Sequence, residues 1–240
     1  MSSSPHNVRL QFAVAAILAF TIAEAPAQME TSRFGLVYGR SNVYVGRARW
    51  TDAATRAHSA AVSWRMGILQ VHASSDTRAA VVRGWVQELA WYTPGQRPAF
   101  SILIEHRGRL YHLDASDSAA AVDSLSAVMR DPSSAAKRAR LIVDSTLSVG
   151  RTFGGDPDRG QRNDGWYAWQ VDSKAKFSRR EQWSKMVTEP IRWRIGYRTL
   201  PDEQTIEFIA GVGISRFEYV HHGTTATVDV HLSTVTSRAR

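Results

Sequence analysis

The sequence predicts an α+β fold that is mainly antiparallel β: a curved sheet or half-barrel packed on one central helix at about residues 116–130. Three observations carry that expectation. Segment after segment alternates apolar and polar residues with period two, a single stretch repeats apolar residues at helical spacing, and residues 208–232 (FIAGVGISRFEYVHHGTTATVDVHL) read as a hairpin with one buriable face. With Gly223-Thr224 as a two-residue loop, Phe217, Tyr219 and His221 share a face with Ala226, Val228, Val230 and Leu232. Arg216, Glu218, Val220 and His222 then oppose Thr225, Thr227, Asp229 and His231 on the wet face. This register sets Glu218 against Asp229, a repulsive pair unless Arg216 or His231 reaches across diagonally.

The first 27 residues stand apart from that fold. A short start ending at Arg9, a mostly apolar run from Leu10 to Ile22 and the small-x-small site Ala25-Pro26-Ala27 have the form of a secretory signal peptide cut before Gln28. The run is too short, and too interrupted by Gln11 and Thr21, for the roughly 20 apolar residues of a spanning helix. The expected product is a periplasmic or extracellular chain over 28–240. It reads as a single β-rich domain, with two similar sheet portions at about 34–114 and 147–236 joined by a helical segment. The echo of Val45-Gly46-Arg47 and Trp50 in Val149-Gly150-Arg151 and Phe153 hints at duplication.

There is no cysteine, which excludes disulfides, thiolate metal sites, a cysteine nucleophile and an acylated N-terminal cysteine. Packing must hold the fold, and 8 Trp, 7 Tyr and 8 Phe supply large apolar area for it. The formal charge of +8 invites a nucleic-acid partner. The cations are spread singly along strand patterns, the one dense run being Lys137-Arg138-Ala139-Arg140, so nucleic acid is set aside in favour of a solvated face.

Taken in order, residues 34–50 suggest two short strands interrupted by Gly35, Gly39 and Gly46. Residues 61–71 and 77–92 suggest a strand pair around the turn Ser74-Ser75-Asp76, with a bulge at Gly67 where the apolar side switches to Leu69 and Val71. Phe100, Ile102 and Ile104 alternate up to a turn at Arg107-Gly108, and Tyr111 and Leu113 resume the return strand. Ser116 or Asp117 caps the helix that carries Ala119, Val122, Leu125, Val128 and Met129, Asp131-Pro132 stops it, and 134–140 gives a second short helical turn. After the polar loop 154–165, Tyr167, Trp169 and Val171 alternate, as do Ile191, Trp193, Ile195 and Tyr197.

The ending is also familiar as a motif. Leu200-Pro201, Gly211-Val212-Gly213-Ile214, Tyr219 and His221-His222-Gly223-Thr224, preceded by Asp164-Gly165-Trp166-Tyr167-Ala168-Trp169, resemble exported bacterial proteins that share a PGVGI…Y.HHGT ending. Ala210 stands where that motif has proline, and a weaker likeness runs from Tyr44 to Leu232 through 84–95. The resemblance implies an exported β-rich fold. It implies no activity.

No constellation commits the chain to chemistry. His221 and His222, adjacent on a strand, point to opposite faces and cannot easily share a metal. Asp156, Asp158 and Asp164 lack the spacing of a calcium loop and any apolar wall to tune a catalytic acid. There is no G-x-S-x-G, phosphate loop or dinucleotide fingerprint. No catalytic residue, metal or cofactor is therefore assigned. The expectation is a non-catalytic exported binding protein holding an apolar ligand or an envelope component, with Trp166, Trp169, Trp193, Tyr219 and His222 as ligand-facing candidates. Its rivals are a hydrolase that gathers Asp164, His222 and His231 in a cleft, and a small outer-membrane barrel.

Overall fold

The computed structural model describes residues 32–155, 164–178, 182–187, 189–222 and 226–237. The leader, the Gly223-Thr224 loop, Asp156 and Asp158 lie outside these residues.

Twelve strands form one antiparallel sheet. They are β1 (Arg40–Thr51), β2 (Ala57–Ala73), β3 (Thr77–Arg83), β4 (Phe100–His106), β5 (Arg109–Ala115), β6 (Arg140–Asp144), β7 (Thr152–Phe153), β8 (Trp169–Lys176), β9 (Ile191–Arg198), β10 (Asp202–Ile209), β11 (Gly213–His221) and β12 (Ala226–Ser237). Their order is β6-β5-β4-β3-β2-β1-β12-β11-β10-β9-β8-β7. Two six-strand meanders thus meet at the β1–β12 pair, and the free edges β6 and β7 are consecutive in the chain. The sheet curls until those edges nearly touch: Arg151 Nη2 lies 3.0 Å from Asp144 Oδ2, and a Cβ on Gly154 would sit 3.4 Å from Leu141 Cβ. Near-closure removes the long unpaired edges that an open sheet would present.

The alternation within each strand decides which side is core. Tyr44, Trp64, Val82, Leu103, Trp169, Phe208, Phe217 and Tyr219 all point into the curl and are buried there against one another. On β3 and β4 the opposite face is buried too: Ala79, Val81, Ile102 and Ile104 pack under Ala121, Leu125 and Val128 of helix α1 (Ser118–Arg130) and Ala135 of helix α2 (Pro132–Arg138). Burying a side chain such as Leu125 contributes about 2 kcal/mol. The helices therefore cover the outside of the barrel. The expectation of a sheet curled over one central helix is corrected on this point, because apolar side chains of the strands already fill the concave side.

Local signals placed most elements. Asp117 caps α1 through Ala120 N, and Asp131, with Pro132 behind it, caps α2 through Ser134 N. Arg107 and Gly108 both take positive φ (49° and 74°), as the tight β4–β5 hairpin requires. His221 pairs with Ala226, Tyr219 with Val228 and Glu218 with Asp229, the register expected from the sequence.

Three readings are corrected. Residues 34–50 give one strand rather than two, since Gly46 lies inside β1, where a Cβ would come within 2.0 Å of the Asp229 carbonyl oxygen. The β2 bulge lies between Ile68 and Gln70, so Leu69 is exposed and Gly67 keeps its pairing. The strand expected to reach residue 92 stops at Arg83: Gly84 turns at φ +80° and residues 86–89 form a 3-10 turn.

Candidate functional site

One end of the barrel is reached by the ends of β3, β5, β9 and β11 and the starts of β6 and β10. The connection 84–99 crosses it. Glu88 pins this connection to its own flanks, its two carboxylate oxygens accepting from Trp85 N at 2.8 Å and Ala99 N at 2.9 Å. Trp85 stacks on His112 with ring centroids 5.9 Å apart, and its Nε1 donates to Gln87 Oε1 at 3.1 Å. Arg140 Nη2 donates to the same Gln87 oxygen at 3.2 Å, while Gln87 Nε2 faces Gln204 at 3.5 Å. Val86 and Leu89 drop into the core beneath.

Across the same end lies a second cluster. Asp202 Oδ1 accepts from the Tyr219 hydroxyl at 2.7 Å and lies 2.8 Å from His221 Nδ1. Trp91 covers both rings, 4.2 Å from the His221 centroid and 5.6 Å from that of Tyr219. It does so at φ +64° and 53% exposed, a conformation that costs a non-glycine residue about 1 kcal/mol or more. Burial, followed by the hydrogen bond to Asp202, pushes the Tyr219 hydroxyl well above its ordinary range and keeps it a donor.

Between β5, β6 and the connection opens a cleft of about 350 Å³ lined by Trp85, Gln87, Glu88, His112, Asp114, Arg138 and Arg140 among others. His112 is 6% exposed, and its Nε2 has no hydrogen-bond partner. The nearest carboxylate, Asp114, stands 3.7 Å away, beyond hydrogen-bond reach. Burial first, and the Arg140 charge second, lower its pKa to about 4, so the imidazole is neutral at pH 7.

Of the expected ligand-facing residues, Tyr219 lies in the second cluster, buried rather than open. Trp169 is buried, its ring tilted at 49° against that of Tyr197 with centroids 5.2 Å apart. Trp166 is 37% exposed beside Arg198 at the same end. His222 is exposed at the rim and donates its backbone N–H to Pro201. Trp193 lies further down the barrel, with Lys174 Nζ 5.0 Å from its ring centroid. Sequence reasoning missed Trp91, Asp202, His112 and Arg140. One signal was available: the unbroken run Ala79-Ala80-Val81-Val82 marks strands covered on both faces, which turns His112 inward instead of toward solvent.

The outward face of β9–β12 has a cleft of about 460 Å³ whose arginines and carboxylates pair with one another, and a second cleft of about 440 Å³ lies on β1 and β12. Arg192 Nη1 meets Glu207 at 3.1 Å, and Arg194 Nη2 and Arg216 Nη2 each meet Glu218 at 2.6 Å. This part of the outward face is charged, unlike the apolar belt that an outer-membrane barrel turns to lipid. The hydrolase cleft does not assemble: His231 faces outward opposite Arg216, far from His222 at the rim. No helix among the described residues is long and apolar enough to cross a membrane, and none of those residues form a cluster of three or more metal-ligating side chains.

No family model matches the chain, and no curated protein matches it in sequence. Solved structures similar to it include the following two. One is a Bacteroides fragilis protein of YmcC-like fold described as exported, 9% identical over 86% of this chain and 100% of its own, with a TM-score of 0.41. The other is a Parabacteroides distasonis protein described as a lipoprotein, 8% identical over 86% of this chain and 99% of its own, with a TM-score of 0.37. Likenesses this distant transfer no property to the chain.

Proposed function

We propose that the chain is an exported binding protein whose ligand is a small polar molecule, taken at the barrel end crossed by residues 84–99. The observation that carries this reading is His112: its buried Nε2 has no hydrogen-bond partner, and the residue lines a cleft bordered by two arginines. The form of residues 1–27 supports export. The exposed Trp91, held at positive φ over His221, supports the same end of the barrel, because backbone strain collects at working sites. An apolar ligand in the concavity is the weaker form of this idea, since packed side chains occupy that space.

A second reading, an enzyme, has one feature in its favour: Asp202 orients His221 as a carboxylate orients a catalytic imidazole. The test is a thermal-shift screen of polar metabolites against the chain from Gln28. Binding predicts a stabilising compound whose effect is lost in Trp91→Gly and His112→Gln. Saturable binding of an apolar dye alone, or hits indifferent to both substitutions, would overturn the assignment; turnover of a hit, abolished by His221→Gln, would favour the enzyme.

A further inference from the structure

We infer that the cleft beside His112 is an oxyanion subsite, receiving a phosphate or carboxylate group of the ligand. This deepens the binding reading above and rests on it.

His112 Nε2 is the first reason. A buried polar atom without a partner forfeits the hydrogen bond that it makes to water in the unfolded chain, and a ligand that supplies the missing partner restores it. The neutral imidazole can hold its single proton on Nε2 and so act as a donor. Positive charge is the second reason. Arg138, last residue of α2, and Arg140, first residue of β6, both line the cleft, and Arg140 spends one donor on Gln87 Oε1 while its fork offers others. Two acidic residues line the cleft as well and offset part of this charge: the Glu88 oxygens are turned to Trp85 N and Ala99 N, and Asp114, whose charge acts on Arg140, has a side chain 95% exposed, where water screens it.

A cation in the same place would stand between two guanidinium groups with His112 as its only uncommitted buried ligand, a poor donor set for any metal. An uncharged group would satisfy Nε2 yet leave the arginines without use. An oxyanion satisfies all three, with His112 donating to one oxygen and the guanidinium groups to the others.

The experiment is nuclear magnetic resonance of the histidine imidazoles in the chain from Gln28 at pH 7. Inorganic phosphate and, separately, acetate are titrated at fixed ionic strength, and the His112 signal is identified by its loss in His112→Gln. The inference expects a saturable shift of that signal with at least one anion. It also expects the affinity to fall about tenfold in Arg140→Gln and to recover in part in Arg140→Lys, which keeps the charge and the fold. Response to phosphate alone assigns a phosphoryl group, and response to both anions assigns carboxylates as well. An unmoved His112 signal, as for a site that holds only water, overturns the subsite. So does a shift whose affinity in both Arg140→Gln and Arg138→Gln is unchanged from the parent chain. If a polar ligand found by thermal shift still depends on Trp91 while His112 ignores both anions, the oxyanion assignment falls and the binding site stands.

Discussion

Arg216 reaches across the β11–β12 pair to Asp229, with its Nε 2.9 Å from Oδ1 and its Nη2 2.8 Å from Oδ2. The same guanidinium touches Glu218, the residue that the register sets directly opposite Asp229. One cation thus separates two carboxylates that would otherwise repel, and hydrogen bonding to Asp229 first, then the charge of Glu218, raises its pKa above the ordinary arginine range.

Removing that cation should make the register costly. Arg216→Met is expected to lower stability by about 1 kcal/mol, modest because the side chain is one-third exposed. Adding Asp229→Asn should restore part of the loss, giving a non-additive double-mutant cycle in urea unfolding.

At the opposite end of the barrel, Arg40 is buried with no carboxylate partner among the described residues. Its guanidinium donates to Asn42 Oδ1 and to the carbonyls of Gly211 at 3.0 Å and Val212 at 2.8 Å, tying the start of β1 to the β10–β11 turn. Arg40→Met should cost about 3 kcal/mol, because it strands buried carbonyls. Arg40→Lys should recover little, since a point charge cannot span the same acceptors. Urea midpoints at pH 7 check both.

His112 makes stability depend on pH with a defined sign. Its folded pKa of about 4 lies below the ordinary value of 6.5, so the unfolded chain takes up the proton first as pH falls. Its contribution is complete above about pH 6.5 and is lost progressively toward pH 4, by up to roughly 3 kcal/mol. His112→Gln should flatten the profile in that window, read by denaturant unfolding at stepped pH.

Trp91 should separate stability from binding. Glycine at this position relieves the φ of +64° while removing ring contacts with His221 and Tyr219. The two effects are of similar size, so Trp91→Gly should leave thermal stability within about 1 kcal/mol of the parent chain. Ligand-induced stabilisation should nevertheless disappear.

Much of the fold is legible in the sequence because its signals are local. The period-two pattern of 216–221 and 226–231 fixes which face is buried for any even loop, and reading Gly223-Thr224 as a two-residue loop adds the register. Asp117, Asp131 and Pro132 announce the helix boundaries through capping chemistry. The side of the sheet on which α1 packs is not local. Apolar residues on both faces of β3 and β4 serve a core within and a helix outside equally well, and only closure of the twelve strands decides between them. The site was hidden for a related reason. Residues 84–92 alternate enough to pass for a strand, yet Gly84 turns them across the barrel end, which brings Trp85 to His112 and Trp91 to His221 from distant parts of the chain.

The most direct test of a ligand site at this barrel end is native mass spectrometry of the chain isolated from its native cells, compared with His112→Gln and with Trp183→Ala at the other end. The site described here predicts a small adduct on the parent chain that survives Trp183→Ala and is lost in His112→Gln. An adduct that persists in His112→Gln and vanishes in Trp183→Ala would contradict it.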